Sequence, residues 1–304
     1  MGRDGTRRSR GESSDRDSRE AEAREVERTE PPTYITVAGV QFDMSVDDQT
    51  REDLAESLFT ALREREPIDR LTETHDLTIE DAYDVQSRLI DRRLAEGASV
   101  VGHKVGLTSE GIQEQLGVDE PDFGRLLDTM FVSGREIPVD ELISPRVEPE
   151  IGFLLGESLE PPVTYLDVLD ATRGVTPVIE VIDSRVRDWD IRIQDTVADN
   201  ASSALYLAGE EVTPLDGLDL SLEGVKLYKN GTLESSGVGA AVLDHPARSV
   251  AWLANTLADL DERLEAGHLV LSGSVTPAVD VEEGDVLTAE FTSVGSLTAR
   301  LGER

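Results

Sequence analysis

Arg146-Val147-Glu148-Pro149-Glu150-Ile151-Gly152-Phe153 leads into an apolar run over 151–155. The run is short and bounded by turn residues, so it predicts a β-strand. Side chains two apart on a strand share a face, which sets Glu148 beside Glu150 at its start. Outward from this stretch, 177–182, 204–207, 224–228, 269–271 and 286–291 are likewise short, apolar or alternating, and bounded by turn residues. Lys229-Asn230-Gly231-Thr232 predicts a hairpin, because Asn-Gly suits a type I′ turn. The strands follow two helices. Apolar residues at 54, 55, 58, 59 and 62 have helical spacing over 53–65. Thr78 as N-cap with Asp81 at N3 opens a second helix, carried to about Glu96 by positions 82, 85, 89 and 94 and ended by Gly97. A further helix over 246–260 interrupts the strands. This order predicts an α+β fold: N-terminal helices, then a largely antiparallel β body.

Residues 1–31 are rich in Arg, Ser, Glu and Asp and nearly free of apolar side chains, so they are expected to be disordered. They lack the apolar stretch of a secretory signal. Met44 precedes a sensible helical start, which suggests a native start there. The expected organisation is a tail over 1–43 and one domain over 44–304.

The 304 residues include 63 Asp or Glu against 29 Lys or Arg, a net charge of −34. A phosphate backbone would repel such a chain, so nucleic-acid binding is a poor reading. No apolar run approaches the ~18–20 residues that span a bilayer, so an integral membrane protein is not expected. With no cysteine, disulfides, zinc fingers and thiol catalysis are excluded. The acid is spread through the chain, and lysine is almost absent: Lys104, Lys226 and Lys229 are the three. A salt-rich cytoplasm favours such diffuse acidity, since carboxylates stay hydrated while other ions screen their repulsion.

Glu180 lies inside Pro177-Val178-Ile179-Glu180-Val181-Ile182, where a carboxylate should be half buried and in need of a cation or hydrogen-bond donor. Glu148, Glu150 and Glu180, without cysteine, suit a hard cation, Mg²⁺ or Mn²⁺. Chance alone gives roughly 13 acid-x-acid pairs at this composition. Only the apolar setting of Glu150 and Glu180 raises the motif, and pattern alone leaves a metal site and a chance pairing level. Lys104 stands in the glycine-flanked apolar strand Val100-Val101-Gly102-His103-Lys104-Val105-Gly106 of a chain that otherwise avoids lysine. It suits proton transfer or carboxylate binding better than an ordinary ion pair. Asp122, read as a turn residue between Pro121 and Phe123, is either a proton-transfer group beside Lys104 or structural. The stretch 195–203, Asp-Thr-Val-Ala-Asp-Asn-Ala-Ser-Ser, reads as a polar loop that either binds a ligand carboxylate or caps a turn. His75, His103, His245 and His268 have no metal-ligand spacing. No nucleophile elbow and no phosphate loop is present.

Taken in order, GHKVGLTS, QLGVDEPDFGRL, PRVEPEIGFLL, PVIEVIDSRVRDWDIRIQDTVADNAS and LSGSVTPAV…EEGD resemble the 2-keto-4-pentenoate hydratase family of the fumarylacetoacetate-hydrolase-like superfamily. The resemblance runs from about Met44 to the C-terminus, and five ordered motifs make it specific. It implies a mixed β roll preceded by helices, association into homo-oligomers and a divalent metal on Glu148, Glu150 and Glu180. It implies proton-transfer roles for Lys104 and Asp122, and a site-lining loop from Asp195 to Ser202, with Asn200 and Ser202 as substrate-binding candidates. The implied substrate is a small 2-keto acid in its enol form, 2-hydroxypenta-2,4-dienoate, hydrated at C4 to a 4-hydroxy-2-oxo acid in the catabolism of aromatics. Two relatives remain as alternatives. A 4-oxalocrotonate decarboxylase tends to carry an apolar residue where Asp122 stands, and a seven-carbon diacid hydratase matches less well over SRVRDWDIRIQDTVADNAS. A non-catalytic oligomeric scaffold is disfavoured by the intact set of acids and lysine. A C–C hydrolase is disfavoured by the placement of the histidines.

Overall fold

The computed structural model describes the backbone of residues 34–37 and 40–43, and residues 45–109, 113 and 118–302. Within the segment expected to be a disordered tail, Tyr34–Val37 (β1) and Val40–Asp43 (β2) pair antiparallel. Their β-branched and aromatic residues favour a pleated backbone. The remainder of 1–43, and Met44, lie outside the described residues.

Helices α1 (Asp48–Glu64) and α2 (Ile79–Ala95) form where the apolar spacing predicts them. Thr78 caps α2: its hydroxyl accepts from the Asp81 N–H at 3.1 Å, and its own N–H donates to the Asp81 carboxylate at 3.1 Å. After α2 the chain enters β3 (Val100–Gly106), β4 (Asp122–Leu127), β5 (Glu136–Ile137) and β6 (Arg146–Leu155). Helix α3 (Tyr165–Ala171) leads to β7 (Thr172–Ile182), and α4 (Ile193–Ala198) leads to β8 (Ser203–Ala208). The hairpin of β9 (Gly224–Lys229) and β10 (Thr232–Val238) turns at Asn230 and Gly231, both at positive φ, as Asn-Gly requires. Helix α5 (Pro246–Ala258) precedes β11 (Leu269–Ser274), β12 (Val279–Asp280), β13 (Val286–Phe291) and β14 (Ser296–Leu301).

Besides the β1–β2 pair, the described strands form two sheets. One runs β4-β3-β11-β6-β7-β8 with β12 also on β6, and the other runs β10-β9-β13-β14-β5. Most pairings are antiparallel, but β11 on β3 and β14 on β5 are parallel, so the roll is mixed. Period-two alternation divides the first sheet into two faces. Val147, Ile151 and Phe153 of β6, Val175, Ile179 and Val181 of β7, and Val105 of β3 enter the main core. Burying side chains of this size contributes about 1.5–3 kcal/mol each. The opposite face carries Glu148 and Glu150 of β6 and Glu180 of β7. It also packs Ile90 of α2 against Leu126, Val178, Tyr206 and Leu271. Helices α1, α2 and α4 have their own core of Leu54, Leu58, Val85, Leu89 and Val197. The three glutamates therefore share the sheet face that packs against Ile90 of α2. Among the described residues no helix is long and apolar enough to cross a membrane.

Candidate active site

Antiparallel register sets Glu148 of β6 directly opposite Glu180 of β7, with Glu150 two residues further along the same face. One carboxylate oxygen from each of the three lies within 4.8 Å of the others. Two oxygens on one hard cation lie about 4–5 Å apart at most, so the cluster has the dimensions of a divalent site. Two of its atoms are held already: Ser203 Oγ donates to Glu180 Oε1 at 2.7 Å, and the Gly273 N–H donates to Glu150 Oε2 at 2.7 Å. The other oxygens, Glu150 Oε1 and Glu180 Oε2, are buried without a hydrogen-bond partner. Lys104 lies near Glu180 Oε2, whereas Glu150 Oε1 has no bonded partner, and an all-oxygen set suits Mg²⁺ or Mn²⁺. Gly273 is at φ +104°, and a Cβ there would stand 2.4 Å from Thr108 Oγ1. Only glycine allows the backbone turn that aims this N–H at Glu150.

Lys104 reaches the same face from β3. It is 4% exposed, with Nζ 3.5 Å from Glu180 Oε2 and donating to the Ala201 carbonyl at 3.2 Å. Asp122 pairs with Gly106 across β3 and β4. A Cβ on Gly106 would lie 2.2 Å from Asp122 Oδ1 and 3.2 Å from Lys104 Nζ, so both groups border the space that the glycine leaves open. Asp122 was expected in a turn; it is instead the first residue of β4, 2% exposed. The turn lies just before it, and Phe123, Leu126 and Leu127 pull the following residues into the sheet. Both Asp122 oxygens are buried without a hydrogen-bond partner.

Four acids surround one lysine here, and burial raises three of them, Glu148, Glu150 and Asp122. Burial pushes Glu148 up to about 7, with Glu180 and Asp122 adding to the shift and Lys104 opposing it. Burial and the neighbouring carboxylates raise Glu150 well above the usual range. Burial also raises Asp122, against the pull of Lys104. Lys104 moves the other way: burial would lower it, but Glu180, Asp122, Glu148 and Glu150 together hold it charged.

The stretch 195–203 was expected to be a loop. It is helix α4 followed by a tight turn in which Asn200, Ala201 and Ser202 all have positive φ, at 53°, 50° and 54°. Three successive non-glycine residues in this region cost about 1–2 kcal/mol each. The Asp195 carboxylate accepts from the Thr72 N–H and hydroxyl and from the Arg192 N–H, and Asp199 pairs with Arg185 at 2.6 Å. Both acids hold the backbone. Asn200 places Oδ1 on the Arg125 N–H at 2.8 Å and Nδ2 on the Arg125 carbonyl at 3.0 Å, so both ends of its amide are engaged. Ser202 Oγ is buried without a partner. Ser203 fell within the polar stretch 195–203 without being singled out, and Gly273 was missed although it stands in LSGSVTPAV, because a hydroxyl and a backbone N–H leave no charge signal. None of the histidines joins the carboxylate cluster. His103 is on the opposite face of β3 with Val105, and His245 caps α5 by accepting from the Ala247 N–H.

Arg125 extends from β4 to Glu262, and also donates to Gln86 of α2 at 2.7 Å. Burial would raise Glu262, but His103 and Arg125 outweigh it and hold the carboxyl at about 2, below its ordinary 4.5. A depressed carboxyl contributes stability that is present above the unfolded value and is lost as pH falls through the folded one. Denaturant titrations at about pH 5 and about pH 3 should therefore show a smaller loss of stability on acidification for Glu262→Gln than for wild type.

A two-sheet roll that gathers three carboxylates, one lysine and one buried aspartate on one sheet face has the donor set of a candidate divalent-cation site. The family profile "Fumarylacetoacetate (FAA) hydrolase C-terminal" matches residues 104–302. The chain is 47% identical over 253 residues to a 2-keto-4-pentenoate hydratase of Paraburkholderia xenovorans (strain LB400), covering 82% of this chain and 94% of that one. It is 42% identical over 264 residues to a 2-oxo-hept-4-ene-1,7-dioate hydratase of Escherichia coli, covering 84% and 98%. A solved 4-oxalocrotonate decarboxylase from Pseudomonas putida G7, complexed with magnesium and adipate, superposes with a TM-score of 0.82 at 38% identity, over 85% of this chain and 99% of that one. The chain belongs to the 2-keto-4-pentenoate hydratase family, within the fumarylacetoacetate hydrolase superfamily.

Proposed function

We propose that the protein is a divalent-metal-dependent hydratase converting 2-hydroxypenta-2,4-dienoate to 4-hydroxy-2-oxopentanoate, as required in the meta-cleavage of aromatic compounds. One observation carries the reading: a single buried face joins the Glu148–Glu150–Glu180 cluster to Lys104 and to an Asp122 whose oxygens have no partner. The three glutamates would hold the cation, which when bound supplies Lewis-acid polarisation of the substrate's oxygens.

The remaining chemistry is proton traffic, and the residues suit it. The dienol loses its hydroxyl proton and gains one at C5, water then adds to C4, and a proton enters at C3. Lys104, held charged, donates hydrogen bonds to the substrate carboxylate or a proton to carbon. Asp122, raised by burial against the pull of Lys104, takes a proton from the attacking water and returns it. Ser202 Oγ is a free group for the substrate, whereas Asn200 is tied to Arg125. Decarboxylation of 4-oxalocrotonate is the second reading, favoured by the likeness to the decarboxylase. It gives Asp122 no task, and on that ground we prefer hydration. A salt-rich cytoplasm and a homo-oligomeric state belong to the same proposal, and light scattering in molar salt would read the assembly.

Chelation tests the metal requirement. Protein stripped of metal should leave the dienol absorbance unchanged, and Mg²⁺ or Mn²⁺ should restore its loss. Full turnover after exhaustive chelation would contradict the proposal.

A further inference from the structure

We infer that Asn200 is a positioning residue: its amide clamps the left-handed turn 200–202 to the strand carrying Asp122 and so fixes Lys104 relative to that aspartate. Three observations carry this. Both amide atoms of Asn200 bond the backbone of one residue, Arg125, three positions along β4 from Asp122. The next residue in the turn, Ala201, supplies the carbonyl to which Lys104 Nζ donates. The turn holds three non-glycine residues at positive φ, a conformation that persists only where its surroundings over-determine it. Gly124, beside Arg125, completes the fit: a Cβ there would stand 2.5 Å from the Asn200 carbonyl oxygen, so the turn lies directly on β4.

Without the clamp the turn loses its attachment to β4, the Ala201 carbonyl moves, and Lys104 is no longer held beside Asp122. The chemistry would suffer more than substrate binding, because Lys104 depends on the Ala201 carbonyl, whereas the proposed cation site is also held by the Gly273 N–H, remote from the turn. Ser202, next in the turn, would keep its place less well, but it is one contact among several.

Two substitutions separate this role from direct substrate binding. Asn200→Gly keeps the freedom to adopt positive φ but removes the clamp. Asn200→Asp keeps the acceptor for the Arg125 N–H but sets an oxygen against the Arg125 carbonyl. In the Mg²⁺-loaded protein both should lower kcat on the order of 10- to 100-fold, the scale of a small misplacement of reacting groups, with KM little changed. A second measurement does not use activity. The chain has three lysines, so acetic anhydride labelling read by peptide mass spectrometry reports Lys104 with Lys226 and Lys229 as internal standards. Lys104 labelling should rise several-fold in both variants while the two standards stay constant. A raised KM with kcat retained, or Lys104 labelling equal to wild type, would overturn the inference. The kinetic arm rests on the hydratase reading. If wild type fails to turn over the dienoate, that reading falls, and the labelling arm still decides the role of Asn200.

Discussion

Glu150→Gln is expected to abolish Mg²⁺ binding and to lower kcat/KM for the dienoate by about 10³-fold or more, the scale of losing Lewis-acid stabilisation worth several kcal/mol. The substitution is nearly isosteric and keeps an acceptor for the Gly273 N–H, so the fold should survive. It removes one charge from a cluster whose burial and mutual repulsion raise Glu148 and Glu150. The metal-free variant should therefore melt no lower than metal-free wild type. Added Mg²⁺ should stabilise wild type by linkage and leave the variant unmoved. Calorimetric titration and paired thermal melts read both parts. Wild-type affinity and turnover in Glu150→Gln would mean that the carboxylate cluster is not the metal site.

Asp122→Asn should lower kcat on the order of 10²- to 10⁴-fold, the range for loss of a positioned acid–base group, while Mg²⁺ affinity stays close to wild type. The side chain contacts neither Ser203 nor Gly273, the groups that hold the cluster, and it lies over Gly106 beside Lys104. The near-isosteric change should leave the fold intact, since burial already works against the charge of this carboxylate. Steady-state kinetics with metal titration checks the split. Retention of kcat would remove Asp122 from the proton transfers and weaken the preference for hydration over decarboxylation.

The elements most legible in the sequence were those with a strong local cause. The capping box at Thr78 and Asp81, the Asn-Gly turn and the apolar strands formed within a few residues of expectation. Strand β14 was not read although Leu297, Ala299 and Leu301 alternate with polar residues, and neither was β4, whose start at Asp122 looked like a turn after Pro121. The grouping of Glu148, Glu150 and Glu180 came from their apolar setting and ordered motifs, and register explains it: β6 and β7 pair so that Glu148 faces Glu180. What stayed illegible depends on long-range contacts. Nothing local in Asp195-Thr-Val-Ala-Asp-Asn says that its two aspartates cap backbone while Asn200 grips Arg125 from 75 positions away. The scarcity of lysine proved informative, since Lys104 is buried among acids, whereas Lys226 and Lys229 are not in the site.

Product identification separates hydration from decarboxylation most directly. Mg²⁺-loaded protein in high salt would be offered 2-hydroxypenta-2,4-dienoate and, separately, 4-oxalocrotonate, with organic products and CO₂ both measured. The expected result is 4-hydroxy-2-oxopentanoate from the first and no CO₂ above background from the second. CO₂ release from 4-oxalocrotonate, with the dienoate left untouched, would contradict it.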